Sequence, residues 1–167
     1  MNVVAKSDQE IEQWIANYEA KRQTDAPFFR ELLEERAKRS SLKLKLDVEK
    51  SLSWLVATAR AQTCTTYGAL AAANGVEWAK ARRAMDGPHG HLDRLLDLCH
   101  ARGLPLLTAI CVSQGGVATG ELQSPALKGF CNGARRLGLS FVDERAFHGL
   151  QRDACWVWGR AQASADE

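Results

Sequence analysis

A cluster of three cations lies near the middle of the chain, where Lys80, Arg82 and Arg83 fall within four residues (the cation cluster). In a helix these side chains project within about one turn of each other, and like charges at that spacing repel unless an anion lies among them. Cationic helices contact the phosphates of DNA in this way. The cluster therefore indicates a nucleic-acid contact. The alternative is a solvated helix face whose cations favour the C-terminal end of the helix.

A second candidate for chemistry is Cys99, which is followed directly by His100. A histidine beside a thiol can favour the thiolate, which is the nucleophilic form of cysteine. Cys99 also falls on the same predicted helical face as Leu92, Leu95 and Leu96, and this pattern indicates a small buried hydrophobic residue. We therefore expect no catalytic residues, and Cys99 and His100 are the candidate pair if the chain is an enzyme that acts on nucleic acid.

The histidines do not predict a metal site. His89 and His91, together with Cys99 and His100, are residue types that bind zinc, but zinc sites use two pairs of ligands at fixed spacing. Here the first two lie at a glycine turn, and only one of the second two can face the protein interior. We expect the turn histidines to be exposed to water, and we expect neither a metal nor a cofactor.

Three short helices followed by two strands are predicted around the cation cluster. The helices cover about residues 69–74, 77–85 and 91–102. Residues 106–113 and 117–122 predict a β-hairpin around a Gln-Gly-Gly turn. This order is typical of a winged helix-turn-helix, in which one helix enters a DNA groove and the hairpin contacts neighbouring phosphates. We therefore expect a mainly α (α+β) fold with a winged helix-turn-helix core and one β-hairpin. Its wing would supply Gln114 and Thr119 as DNA contacts.

The same segment resembles a known family. The runs Thr66-Tyr67-Gly68-Ala69-Leu70-Ala71 and Ala81-Arg82-Arg83-Ala84-Met85, with Gly75 between them, are similar to the DNA-binding domain of the O6-alkylguanine-DNA alkyltransferases and alkyltransferase-like proteins. The resemblance covers residues 65–120. It implies a winged helix in which Tyr67, together with Arg83 or Arg82, helps to flip a nucleotide out of the duplex.

The chemistry of that family is not carried over in full. Its acceptor cysteine lies in a Pro-Cys-His-Arg sequence, whereas this chain has Leu98-Cys99-His100-Ala101. Alignment on the glycines of the predicted wing instead brings Thr108 to the acceptor position. The resemblance therefore implies binding to lesions without alkyl transfer, as in the alkyltransferase-like proteins.

The flanking regions predict helices on both sides of this core. Ser7 and Glu10 form a capping-box pattern, Asp25-Ala26-Pro27 is a second helix start, and Ser124-Pro125 opens a C-terminal helix. We divide the chain into an N-terminal helical region (residues 1–46), a winged-helix-like core (47–122) and C-terminal helices that pack on the core (123–167).

Aromatic residues stand among the charges of the N-terminal helices, at Trp14, Tyr18, Phe28 and Phe29. Packing between helices explains most such residues, and a protein interface is the alternative because tryptophan is frequent at interaction hot spots. The basic residues of region 36–50 are either a solvated surface or an extension of the nucleic-acid surface. A protein partner is expected through these helices if the chain is a protein-binding regulator.

Composition limits the classes of function. The 167 residues include 22 Lys and Arg against 20 Asp and Glu, so a basic field for nucleic acid must be local. The apolar stretches are too short to span a bilayer and we expect no export signal, so no membrane partner is expected. Five cysteines without a CxxC spacing favour reduced thiols, and we expect a bacterial, cytoplasmic protein.

Together these patterns predict a non-catalytic DNA-binding protein of the winged-helix type with a regulatory or lesion-sensing role. Its expected DNA contacts are Tyr67, Lys80, Arg82, Arg83, Gln114 and Thr119. The alternative is a protein-binding regulator or inhibitor, of bacterial or phage origin, on the same scaffold. The second alternative is a nucleic-acid-modifying enzyme with Cys99 as its nucleophile.

Overall fold

Helices dominate the computed structural model, which describes residues 2–165. Within that range the α-helices are α1 (Asp8–Ala20), α2 (Pro27–Leu44), α3 (Val48–Arg60), α4 (Tyr67–Ala73), α5 (Trp78–Met85), α6 (His91–Ala101), α7 (Ser124–Arg136) and α8 (Glu144–Ala165). The other regular elements are the strands β1 (Thr65–Thr66) and β2 (Cys111–Val112) and 3-10 turns at Val3–Ala5, Leu107–Ile110 and Gln114–Gly116. The prediction of a mainly α fold is confirmed.

Several helices begin where side chains satisfy the free amides of the first turn. Ser7 Oγ accepts a hydrogen bond from the Glu10 amide at 3.2 Å, and the Glu10 carboxylate accepts one from the Ser7 amide at 2.7 Å, so the predicted capping box is formed. Asp47 caps α3 and Thr66 caps α4 through their side-chain oxygens. The cap at Thr66 makes Tyr67 the first residue of α4. α4 precedes α5, the helix that carries the cation cluster.

The predicted β-hairpin is wrong. Residues 107–110 form a 3-10 turn, and the two extended residues that follow, Cys111 and Val112, pair in parallel with Thr65 and Thr66. Residues 117–122 form no strand and do not pair with β2. The β structure among residues 2–165 is therefore one short parallel pair between distant parts of the sequence.

The predicted wing is a coiled loop. The amide of Gly120 donates to the carbonyl of Gly116 at 2.8 Å, so the chain turns helically after β2 instead of extending. A Cβ on Gly116 would lie 2.4 Å from the carbonyl oxygen of Glu121, which shows how tightly the loop closes over this glycine. Residues 106–112, which form the apolar run before the loop, are all buried. A fully buried segment of any conformation has the same continuous apolar sequence as a buried strand, so the run alone did not distinguish them.

α6 is the central element of the molecule. It packs against α2, α3, α5 and α7, and its residues from 93 to 99 are all buried. Buried apolar side chains of the first two helices, such as Ile11 and Phe29, join those of α6 and of α7 and α8, such as Phe130 and Cys155, in one continuous core. The three regions that the sequence suggested therefore share a single core in the described chain.

Asp97 on α6 is fully buried and connects helices through arginines. Its carboxylate accepts hydrogen bonds from Arg36 of α2 and Arg136 of α7, both at 2.7 Å, and Arg94 lies 3.4 Å away. Arg136 also donates to Glu19 of α1 at 2.9 Å. Burial alone would raise the pKa of Asp97, but the three arginines outweigh it and lower this pKa. The network ties α1, α2 and α7 to the central helix.

Candidate nucleic-acid interface and adjoining cavity

α4 and α5 are two contacting helices joined by a short turn, which we call the helix-turn-helix unit. The four-residue turn between them contains Gly75 with φ of +72°, a conformation that favours glycine. Ala81 and Met85 are buried where α5 packs on α4 and α6. The cation cluster lies on the opposite, exposed side of α5. This geometry presents one short basic helix outward from a fixed support.

Arg82 and Arg83 have no salt-bridge partner in the part of the chain that the structure describes. Lys80 lies 3.7 Å from Glu77, and both side chains are exposed, so this pair neutralises Lys80 only weakly. By contrast, surface Arg102 is held between two glutamates of α2 and α3. No salt bridge among the described residues therefore neutralises the two arginines of α5.

Tyr67 links the two helices of the unit. It is the first residue of α4, it is half-buried, and its ring stacks on that of Trp78 with 6.3 Å between the centroids and 20° between the planes. Burial, with smaller contributions from Cys111 and Asp86, raises the pKa of Tyr67, so its hydroxyl stays protonated. Tyr67 therefore offers a neutral hydroxyl beside the basic helix.

A cavity of about 590 Å³ opens beside the C-terminal end of α5. Tyr67 and the segment from Asp86 to His89 form its side next to the helix-turn-helix unit. Apolar side chains of α6, α7 and the connecting segment form its walls, including Leu92, Leu96, Leu122 and Phe130. Its volume is within the range of small-molecule sites, roughly 300–1,000 Å³.

Few polar groups of the cavity are free to bind a ligand. Thr108 Oγ1 is buried in the wall and has no hydrogen-bond partner among residues 2–165. Asp86 makes no salt bridge within that range, and burial raises its pKa although Arg82 opposes this effect. Asp93 and Arg136 also line the cavity, but both are engaged in the ionic network around Asp97.

The two residues predicted in the wing lie in the coiled loop that follows β2. Gln114 is exposed in the 3-10 turn. The Thr119 hydroxyl donates to the carbonyl of Gly116 at 3.4 Å and accepts from the amide of Glu121 at 3.3 Å, so it stabilises its own loop. The Thr119 carbonyl accepts from Arg152 of α8 at 3.3 Å. This loop is therefore fastened to α8, whereas α5 packs on α4 and α6.

Cys99 and His100 do not form a catalytic pair. Cys99 is completely buried, and burial raises the pKa of its thiol to about 12, so it is neither accessible nor ionised. His100 Nε2 lies 2.7 Å from the carbonyl oxygen of Thr24 and its ring packs edge-on to Phe29. Both side chains serve packing, and the geometry gives no support to an enzyme with Cys99 as nucleophile.

The histidine prediction is half wrong. His89 is exposed, as expected, but His91 is fully buried at the start of α6, with Nε2 2.6 Å from Ser51 Oγ. Ser51 Oγ also accepts from the side-chain amide of Asn74, which lies in the turn of the helix-turn-helix unit. Across the described range, no three His, Cys, Asp or Glu side chains converge as metal ligands.

Sequence reasoning missed the cavity and two of its functional candidates. No functional role was assigned to Asp86 from the sequence, and Thr108 was placed in a predicted strand and at the position that one alignment matches to the acceptor cysteine of the resembled family. The cavity is assembled from segments between residues 67 and 136, and no local pattern brings these together. One signal was available: the Asp-Gly-Pro turn places an acidic residue directly after the basic helix.

Comparison with known proteins gives no relative from which to transfer a function. No protein-family model, no curated protein and no solved structure matches this chain. None of the helices formed by residues 2–165 has the length and apolar character needed to cross a membrane.

Proposed function

We propose that this chain is a non-catalytic DNA-binding protein in which α5 contacts the duplex and α4 supports α5. The observation that carries the proposal is the pair Arg82 and Arg83, which lie unpaired, within the described residues, on the outward face of the second helix of a helix-turn-helix unit. In helix-turn-helix proteins the second helix lies in the major groove of DNA. Arginine forms strong, charge-assisted hydrogen bonds to phosphate there.

The chain order α3, α4, α5 supports a helix-turn-helix type of unit, since the predicted wing is a coiled loop and not a β-hairpin. Residues 114–120 form a coiled loop that is fastened to α8, so we limit the proposed DNA contacts to Tyr67, Lys80, Arg82 and Arg83. Gln114 and Thr119 are left out of the interface.

We also propose that the protein prefers a distorted or damaged duplex to a matched one. The support is the position of Tyr67 at a cavity beside α5, together with the resemblance of residues 65–120 to alkyltransferase-like proteins. Turning a nucleotide out of the stack costs least where the base is mismatched or damaged. A duplex with one mismatch is therefore expected to bind more tightly than a matched duplex of the same length.

The salt dependence of binding tests the role of the arginines. Fluorescence anisotropy with a labelled duplex is measured between about 50 and 200 mM salt, where each phosphate contact contributes about 0.9 to the slope of log K against log salt. The double variant Arg82→Ala/Arg83→Ala is expected to bind more weakly and to lower the magnitude of this slope by about 2.

A control variant that removes the same amount of charge elsewhere separates direct phosphate contact by the arginines from general electrostatic attraction to DNA. Lys21→Ala/Lys38→Ala removes two exposed cations from outside the α4–α5 unit and is expected to leave the slope nearly unchanged. The proposal fails if the arginine variant keeps the slope of the natural protein, or if both double variants lose the same amount.

A second candidate function, protein binding, is favoured by one surface of α8. Leu150 and Val157 are 69% and 59% exposed and lie two helical turns apart, with Ala154 exposed between them. An apolar stripe of this kind is common at protein interfaces. In the N-terminal helices Trp14 packs edge-on to Phe28 at 5.8 Å, and a protein surface on these helices stays a prediction.

Affinity capture after nuclease treatment distinguishes this candidate. If α8 binds a protein, a partner is retained by the natural chain without nucleic acid and is lost by Leu150→Glu/Val157→Glu. A partner that disappears on nuclease treatment would instead be held through DNA.

A further inference from the structure

We propose that the cavity beside α5 binds a small, flat aromatic cation, such as an aromatic amidinium or a ring-charged heterocycle, with Asp86 as its counter-ion. This inference does not depend on DNA binding, because the cavity and its charge are properties of the chain alone.

The walls of the cavity select a flat apolar ligand. Leu92, Leu96 and Leu122 provide aliphatic surface, and the rings of Phe130 and Tyr67 provide aromatic surface. Aromatic faces attract a cation that lies over them, and this attraction increases where water is excluded. A volume of about 590 Å³ holds one or two fused rings with a polar substituent.

The charge of the cavity selects a cation. Asp86 is the lining carboxylate that has no salt bridge among residues 2–165. The other charged pair in the wall is already compensated, because Asp93 contacts Arg94 at 2.8 Å and Arg136 contacts Asp97 at 2.7 Å. Arg82 is near enough to lower the pKa of Asp86 but forms no salt bridge with it, so a ligand cation next to Asp86 would gain an ion pair.

Two hydroxyl groups can orient such a ligand. Thr108 Oγ1 is buried in the wall without a hydrogen-bond partner in the described part of the chain, and a buried polar group left unpaired costs free energy. The Tyr67 hydroxyl likewise makes no hydrogen bond with any described residue. Both groups can accept from a ligand N–H, so a cation that also donates hydrogen bonds satisfies them.

The turn that carries Asp86 is held in place before any ligand arrives. Gly87 has φ of +97°, and the amide of Gly90 donates to the carbonyl of Gly87 at 3.0 Å. A Cβ on Gly90 would lie 2.3 Å from the carbonyl oxygen of Asp86, so any side chain at position 90 would clash with the backbone of this turn. A preformed site of this kind loses little conformational entropy on binding.

An isosteric series of probes tests the charge preference without DNA. Benzamidine, benzamide and benzoate share one ring and differ in charge, and their binding to the full chain is measured by isothermal titration and ligand-detected saturation-transfer NMR. Benzamidine is expected to bind about tenfold more tightly than benzamide, and benzoate most weakly, because the Asp86 carboxylate at the edge of an apolar cavity attracts a cation and repels an anion.

Variants of the wall assign the binding to this cavity. Asp86→Asn is expected to remove the advantage of benzamidine over benzamide, whereas Asp153→Asn, which neutralises an exposed carboxylate of α8, is expected to keep it. Gly129→Phe, at a cavity-lining position where a Cβ meets no atom within 4 Å, is expected to fill the space and abolish binding of all three probes. Circular dichroism verifies that each variant is folded.

The proposal is overturned if benzoate binds as tightly as benzamidine, if Asp86→Asn keeps the preference, or if no probe binds at millimolar concentration.

The cation can reach the cavity free in solution or as a charged base turned out of a duplex. If benzamidine competes with a mismatched duplex, the natural ligand is a base turned out of the duplex. If benzamidine leaves duplex binding unchanged, the natural ligand is a cation free in solution. Loss of DNA binding in a separate assay leaves the probe result intact, so the two proposals fail independently.

Discussion

Arg82 and Arg83 differ from the arginines of α2, α6 and α7, all of which contact a carboxylate. An exposed ion pair stabilises a protein little, but it also neutralises the charge that a partner would recognise. Two adjacent guanidinium groups without a salt bridge among the described residues therefore keep the charge that the proposed DNA contact requires. The sequence correctly predicted exposed cations on one helix, because local spacing decides which way they project, and their contact with DNA stays a prediction.

His91 illustrates a residue whose environment the sequence could not supply. It follows a glycine turn, a position that usually faces water, but the turn folds it against Ser51 of α3. Burial lowers its pKa from 6.5 to about 4. Since the unfolded chain binds a proton at His91 between these pH values and the folded chain does not, stability is expected to fall as the pH drops below 6.5.

The pH dependence of unfolding measures this effect. The free energy of unfolding of the natural protein is expected to decrease between pH 6.5 and 5, with about 3 kcal/mol as the upper bound from His91 by pH 4. His91→Gln is expected to flatten this dependence, and His89→Gln, at an exposed position, is expected to preserve it. Equal pH dependence in all three proteins would contradict the burial of a neutral His91.

At the scale of elements, glycines decide how closely helices approach. Gly129 of α7 lies at the cavity, where an added Cβ meets nothing within 4 Å, whereas a Cβ on Gly159 of α8 would lie 2.3 Å from the carbonyl oxygen of Ala59 in α3. Gly129→Ala is therefore expected to stabilise the protein by about 0.5–1 kcal/mol, because alanine loses less backbone entropy in a helix.

The corresponding substitution at Gly159 is expected to change stability in the opposite direction. Gly159→Ala forces α8 away from the backbone of α3 and is expected to destabilise the protein by about 1–3 kcal/mol. Thermal and urea unfolding measure both variants under the same conditions. If both substitutions shifted stability in the same direction, the close contact of α3 and α8 at Gly159 would be incorrect.

The network around Asp97 ties four helices together. Replacing this carboxylate by Asn leaves Arg36, Arg94 and Arg136 with a buried excess of positive charge. Asp97→Asn is expected to destabilise the protein by about 3–5 kcal/mol, as for other buried pairs that lose one partner. Urea unfolding tests this value, and Asp153→Asn, at an exposed carboxylate, is expected to change stability by less than about 0.5 kcal/mol.

The sequence predicts local features of helices better than it predicts which segments pair as β-strands. The capping box at Ser7 and the turn at Gly75 are local patterns, and both are found as predicted. The pairing of Thr65 with Cys111 joins residues 46 positions apart, and the apolar run before Cys111 is equally consistent with a hairpin strand. The alternation of apolar residues does not identify a strand partner, which is why the wing was wrongly predicted.

At the scale of the whole molecule, a net charge of +2 offers no general attraction to nucleic acid. The proposed binding must therefore depend on how charge is distributed: Arg82 and Arg83 are exposed on α5 without a salt bridge among the described residues, while the carboxylates around α6 pair with arginines. One core runs through all eight described helices, so the exposed face of α5 is held by tertiary packing and not by its own helix propensity. The sequence predicted the cationic face; the cavity beside it required the assembled fold.

The most direct test of the central claim is an NMR titration of the isotopically labelled chain with a duplex at low salt. Backbone amide shifts are expected to change most in residues 67–86 and at the loop that follows α5, and raising the salt is expected to reverse these changes. Shifts confined to α8, or no shifts at low salt, would contradict DNA recognition by α5 and would favour a protein partner on the apolar stripe of α8.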